Sequence, residues 1–294
     1  MIAQTRVVLT GAVLLAAACS KAPSGSEPRS ATVPSADGVP VSYEARGQGA
    51  TTLVLVHGWS CDRTYWRHQI DSLQGDYRVI ALDLAGHGAS GKERKDWSIA
   101  NFANDVAAVV RKENANKVVL VGHSLGGPVA LEAGVQLPDR VIGVIGVEAF
   151  FDGWTDPGFG KAVDQLRLNF APATRAFIRK AMFLPTSRAA LADSVADDMA
   201  AAPVEVALPS IDSLITWARD RQAAAASALD APVGLIMAAG GRAATTKFQR
   251  SREGRPSLGV EEVPGTGHFV MLEVPGAFSA RLREMLNRLE RGGR

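Results

Sequence analysis

The chain has 294 residues, 47% of them hydrophobic, with 29 Gly and 15 Pro. That is enough for one large α/β domain with an insertion and a sizeable core. A formal net charge of +2 argues against nucleic acid as a partner, because a phosphate footprint needs a basic excess.

At the amino end Arg6 supplies a positive charge, and residues 7–18 form an apolar run interrupted only by Thr10 and Gly11. The run is short for a permanent membrane-spanning helix. Small residues then lead into a cysteine: Leu15-Ala16-Ala17-Ala18-Cys19-Ser20. Residues 1–19 thereby resemble a bacterial lipoprotein signal peptide. The resemblance implies a lipid on Cys19 and a protein anchored in the bacterial cell envelope, at the outer membrane or the periplasmic face. Several acyl chains on one residue hold a protein firmly at a membrane surface, and Ser20 after the cysteine resembles the outer-membrane sorting pattern. An ordinary cleaved signal is the alternative, which would leave the protein secreted or periplasmic. With Cys19 modified, Cys61 has no intramolecular disulfide partner and reads as a small buried apolar residue.

Residues 20–33, rich in Ser, Pro, Ala and charge, read as a flexible tether. Ala36-Asp37-Gly38 reads as a turn between two short strands, the second spanning 41–46. From there apolar runs alternate with helical segments, the pattern of a mostly parallel sheet with helices on both faces. The spacing predicts buried strands over 52–56, 78–82, 117–121, 141–147, 233–238 and 258–263, and helices over 62–73, 98–112, 124–137 and 275–289. The alternation breaks over 150–225, where helical stretches such as 187–201 and 211–221 predict an inserted helical cap. The core is then 34–149 plus 226–294. Open parallel sheets place ligands at the carboxyl ends of their strands, so a cap there would roof the pocket.

The most informative run is Val118-Val119-Leu120-Val121-Gly122-His123-Ser124-Leu125-Gly126-Gly127. It fits G-x-S-x-G directly after a strand-like run and directly before a helix-like one. The flanking glycines permit a tight turn that pushes Ser124 into a strained, exposed position. A helix starting there aims unpaired N–H groups at developing negative charge. A glycine-rich anion-binding turn is the bland alternative. A serine hydroxyl needs a base to become a nucleophile, and the histidines are 57, 68, 87, 123 and 268. His123 adjoins Ser124, but adjacent side chains in a sharp turn diverge, and His68 sits in a surface helix. His268 follows the final strand.

Over residues 34–294 the chain resembles the α/β-hydrolase superfamily. His57-Gly58-Trp59 after a strand, Asp83-Leu84-Ala85-Gly86-His87-Gly88-Ala89-Ser90 after the next, the Ser124 elbow, and Gly265-Thr266-Gly267-His268-Phe269 carry the resemblance by their order and spacing. It implies the α/β-hydrolase fold, Ser124 as nucleophile, His268 as general base, structural roles for His57 and His87, and an oxyanion hole from the backbone N–H groups of Trp59 and Leu125.

The acid departs from the commonest pattern. Most relatives carry an Asp after the penultimate strand, but residues 239–247 (AGGRAATTK) hold no carboxylate. Branches such as the haloalkane dehalogenases place it after the strand that follows the nucleophile helix, here Glu148, with Asp152 in reserve. Burying a carboxylate there without a partner is costly, and orienting His268 would supply one; a surface glutamate at the start of the cap is the other reading. Dehalogenases and epoxide hydrolases use Asp where this chain has Ser124, so the expected reaction is hydrolysis of a small-molecule carboxylic ester. Lactone, thioester or amide hydrolysis by the same triad comes second, and a non-catalytic, membrane-anchored binding protein on the same fold is the alternative of another class. No cofactor and no metal is implied, since no His/Asp cluster has ligand spacing. Trp59, Phe150, Phe151 and Trp154 are candidate pocket walls.

Overall fold

Apolar runs with no polar face must be covered on both sides, and that requirement organises the protein. The computed structural model describes residues 28–292. Eight strands form one sheet: β1 (Arg29–Pro34), β2 (Pro40–Arg46), β3 (Thr52–Val56), β4 (Arg78–Leu82), β5 (Val118–His123), β6 (Val141–Val147), β7 (Val233–Ala238) and β8 (Ser257–Val263). Their order is β1-β2-β4-β3-β5-β6-β7-β8. The β1–β2 and β2–β4 pairs are antiparallel, and the remaining pairs are parallel. β3 and β5 are buried along their whole length. They sit where the strand order reverses, which is where a doubly covered sheet opens its crevice.

The core helices are α1 (Arg67–Leu73), α2 (Ile99–Lys112) and α3 (Gly126–Gln136). Ser98 caps α2 by accepting from the Asn101 N–H, and Arg111 and Lys112 occupy its last turn, favourable to the helix dipole. The segment read as one helix over 62–73 is a 3-10 turn (Arg63–Trp66) followed by α1. Between β6 and β7 come only helices: a 3-10 turn (Asp152–Thr155), α4 (Pro157–Leu168), α5 (Phe170–Phe177), a π-turn (Ile178–Met182), α6 (Ala189–Ala200), α7 (Val204–Asp220) and α8 (Gln222–Ala228). Glu132 of α3 fixes this insertion to the core. Its carboxylate accepts from the Trp217 indole at 2.7 Å and from Arg221 at 2.8 and 3.1 Å. Two short helices, α9 (Gly241–Ala244) and α10 (Thr246–Ser251), join β7 to β8, and α11 (Val270–Glu273) and α12 (Pro275–Gly292) end the described chain. Helix α3 contacts both α2 and α8, and α1, α11 and α12 contact one another, so the two groups cover opposite faces.

A further expectation is corrected. Residues 29–33 were assigned to the tether but belong to β1. Val33 is buried on its inner face and Arg29 is ion-paired with Glu113. An edge strand needs few apolar residues and tolerates Pro34 at its end, which is why its composition imitates a linker. Residues 239–247, the segment without a carboxylate, carry α9 and the start of α10. Gly240 and Gly241 hide this, since the first takes a left-handed φ of 84° that caps α9. Cys19 and the signal-like residues 1–19 lie outside the described residues.

Candidate active site

Parallel pairing aligns the carboxyl ends of three neighbouring strands. His123 at the end of β5 is in register with Val147 of β6, and Val147 with Ile236 of β7. The next residues along β5 and β6 are Ser124 and Glu148, and Ala238 ends β7. Backbone hydrogen bonds extend the alignment by one step: Ser124 N–H donates to Val147 O at 2.9 Å and Glu148 N–H to Ile236 O at 3.0 Å.

Backbone strain collects here. Among the described residues five non-glycines have positive φ, and four of them cap the carboxyl ends of β3, β5 and β6: Ser60 (53°), Ser124 (51°), Glu148 (48°) and Phe150 (63°). Each such residue costs about 1–3 kcal/mol and persists only where surrounding packing dictates it. At Ser124 the cause is the turn from β5 into α3. A Cβ at Gly122 would lie 2.0 Å from Gly126 O, so a strand and a helix can meet this closely only across a glycine.

Glu148 is 4% exposed. One carboxylate oxygen accepts from the Ala238 N–H and the other faces His268 Nδ1 at 3.2 Å. β7 therefore contributes a backbone donor to the acid on its neighbour, rather than an acid of its own. With Nδ1 turned to Glu148, the other ring nitrogen of His268 has no protein partner among the described residues. Ser124 Oγ likewise makes no protein hydrogen bond, and none joins it directly to His268 in this unliganded arrangement. Catalytic bonds of this kind tighten when substrate is bound. Asp152, the reserve acid, is directed elsewhere: both its oxygens accept from the Lys247 N–H at 3.1 Å, linking the cap to α10.

His57, His87 and His123 are buried and hydrogen-bonded to backbone. His57 Nε2 accepts from the Leu84 N–H at 3.0 Å, so its Nδ1 carries the proton and donates to Gly58 O at 2.8 Å. Burial pushes its imidazole down to about 4, and burial beside His57 pushes His87 down to about 3. His123 has a role that its sequence position does not reveal. Its Nε2–H donates to the carbonyl of His268 at 3.0 Å, and the two rings lie 4.8 Å apart. Burial, with His268 beside it, holds His123 well below the usual histidine range. A neutral ring thus grips the backbone of the candidate base from 145 residues away.

Trp59 is 4% and Leu125 0% exposed, and neither backbone N–H has a protein acceptor among the described residues. Buried N–H groups are almost always paired. Two unpaired ones beside Ser124 form a ready receptacle for an oxyanion, and removing one such donor costs about 100–1,000-fold in rate. Gly58 lets the Trp59 loop approach. A Cβ there would come 2.9 Å from His123 Nδ1 and 3.2 Å from the Cβ of Ser124. Gly58→Ala is therefore expected to lower kcat/KM on a p-nitrophenyl ester about 100-fold, since displacements near 1 Å cost that much. Parent-like kinetics in a folded variant would show that this contact yields freely.

The Trp59 indole donates to Ala207 O of α7 at 2.7 Å and packs edge-on against Phe170 of α5, with ring centroids 6.1 Å apart. Phe151, beside Trp154, lies 6.0 Å from the His268 ring. Phe150 is no pocket wall: it is fully buried and stacks on Phe248 at 4.0 Å. Cys61 is a buried free thiol that donates to Trp59 O, and burial raises it well above the ordinary thiol range.

Residues 53–281 match the alpha/beta hydrolase family. Among curated proteins, the dihydrolipoyllysine-residue acetyltransferase component of the acetoin cleaving system of Cupriavidus necator is 37% identical over 44% of this chain and 32% of its own length. Epoxide hydrolase B of Mycobacterium tuberculosis is 39% identical over 36% of this chain and 31% of its own. The chain thus spans about a third of the length of these curated relatives. Among solved structures, a thermophilic esterase from Thermogutta terrifontis superposes with a TM-score of 0.74 at 21% identity, covering 89% of this chain and 99% of that one. With the matched region running from β3 into the first turns of α12, the chain belongs to the alpha/beta hydrolase family of enzymes.

Proposed function

We propose that the protein is a serine hydrolase that cleaves carboxylic esters through an acyl-enzyme on Ser124. One observation carries the reading: buried Glu148 paired with half-buried His268 at 3.2 Å, at the strand end next to a strained serine flanked by two unpaired N–H groups. In the proposed cycle His268 takes the Ser124 proton as Oγ bonds to the carbonyl carbon. The carbonyl oxygen becomes an oxyanion held by the N–H groups of Trp59 and Leu125. Its collapse breaks the bond to the alkoxide, which leaves with the proton from His268. Water, deprotonated by His268, repeats the sequence and releases the acid, while Glu148 holds the tautomer and offsets the imidazolium charge. The cycle uses only groups of this chain. A nucleophilic serine favours this reading over epoxide opening, the activity named for one relative. The test is turnover of a p-nitrophenyl ester by the parent. Binding of such an ester without turnover would point instead to a non-catalytic binding protein.

We also propose that Cys19 carries a lipid holding the enzyme in the bacterial cell envelope; the support is the sequence pattern of residues 1–19. Mass analysis of the membrane fraction is expected to show an acylated chain starting at Cys19. A soluble, unacylated protein would rule this out.

A further inference from the structure

The loop that carries His268 is held by the cap as much as by the sheet. His268 N–H donates to the carbonyl of Met182, the last residue of the π-turn, at 2.8 Å. The preceding N–H, of Gly267, donates to Glu273 Oε1 at 2.9 Å. The second oxygen of Glu273 accepts from the Ser187 hydroxyl, in the cap, at 2.6 Å. Phe183 stacks on Phe269 with ring centroids 5.2 Å apart. Gly267 is pressed so closely on this segment that a Cβ would lie 2.4 Å from Met182 O. The Ser187 oxygen also accepts from the Leu184 N–H at 3.1 Å, closing residues 184–187 into a turn.

Three backbone polar groups around the imidazole are therefore committed. The His268 carbonyl goes to His123, its N–H to the cap, and the neighbouring N–H to a carboxylate that also grips the cap. The Glu273 carboxylate hydrogen-bonds both sides, one oxygen to the loop and the other to the cap. We propose that Glu273 is a positioning residue: it latches the His268 loop to cap residues 182–187, so that the imidazole is set for proton transfer only while that part of the cap is seated. The inference rests on reading His268 as the general base. Substrate must then enter by some other edge of the cap, because opening at this edge would unset the base.

A latch that acts through the base changes kcat and leaves KM alone, whereas general loosening of the cap changes both. Glu273→Ala is expected to lower kcat on a p-nitrophenyl ester about 10- to 100-fold, with KM within about threefold of the parent. Glu273→Gln keeps an acceptor for Gly267 and a polar partner for Ser187, and is expected to recover most of the activity. Ser187→Ala, which cuts only the cap side, is expected to lower kcat by a smaller factor and to have little further effect in the Glu273→Ala background. Should Glu273→Ala fail to fold, Ser187→Ala alone is decisive, and parent-like kcat in it overturns the proposal. So does parent-like kcat in folded Glu273→Ala, or a loss that appears wholly in KM. A fluorophosphonate that labels Ser124 separates the two layers. If the parent is not labelled, the hydrolase reading falls and takes the latch with it. If parent and Glu273→Ala are labelled equally fast, only the latch falls.

Discussion

Ser124→Ala is expected to lower turnover of a p-nitrophenyl ester by about 10^4- to 10^6-fold while leaving the fold intact. The physical case is local. The hydroxyl is the only group at the elbow that can form a bond to carbon, and the residue is 9% exposed. Alanine accepts the φ of 51° no worse than serine and removes a single oxygen, so thermal unfolding should shift by little. The two unpaired N–H groups remain in the variant, and a residue of rate above that in water should survive through them. Steady-state kinetics with a matched melting curve checks the expectation. Turnover equal to the parent would remove Ser124 from the mechanism altogether.

Glu148→Gln comes next in expected effect, at about 10^3- to 10^4-fold in kcat with little change in folding, the scale seen when a triad carboxylate becomes an amide. The amide oxygen can still accept from the Ala238 N–H, so one bond of the parent survives. The amide nitrogen then faces His268 Nδ1 and donates to it. That choice places the imidazole proton on the other nitrogen, the one that must accept the proton from Ser124. The variant is thus expected to fold and to carry the wrong tautomer. Kinetics alongside a melting curve distinguishes this from unfolding. Near-parental kcat would take the acid role away from Glu148, and Asp152→Asn would then be the variant to examine.

How much of this was legible in the sequence follows the range of the forces involved. β3, β5 and β6 announce themselves because each is a run of apolar residues buried on both faces. The elbow is equally legible, since its demands fall on adjacent residues. β1 was not, because an edge strand with one buried side chain has a linker's composition. Nor were α9 and α10, where two glycines argue locally against a helix that β7, β8 and the bond from Asp152 to Lys247 stabilise from outside. In the site, Ser124, His268 and Glu148 are named as candidates by the resemblance of their motifs to the α/β-hydrolase pattern, Glu148 because 239–247 holds no carboxylate. The grip of His123 on the His268 carbonyl cannot, as it joins residues 145 apart through one carbonyl. The Glu273 latch is hidden for the same reason: nothing in residues 182–187 signals that the cap folds back onto that loop.

β1 runs antiparallel to β2, which runs antiparallel to β4, and Arg29 pairs with Ala45 beside Ile80. The first described strand therefore runs in the same direction as β4 and starts level with that strand's middle residue, while Ser124, Glu148 and His268 occupy the carboxyl rim. A five-residue strand spans about 17 Å, so the two rims are well separated. β1 also lies at the outer edge of the sheet, four strand spacings of about 4.8 Å from β5, so Arg29 lies about 19 Å across the sheet from the strand that leads into Ser124.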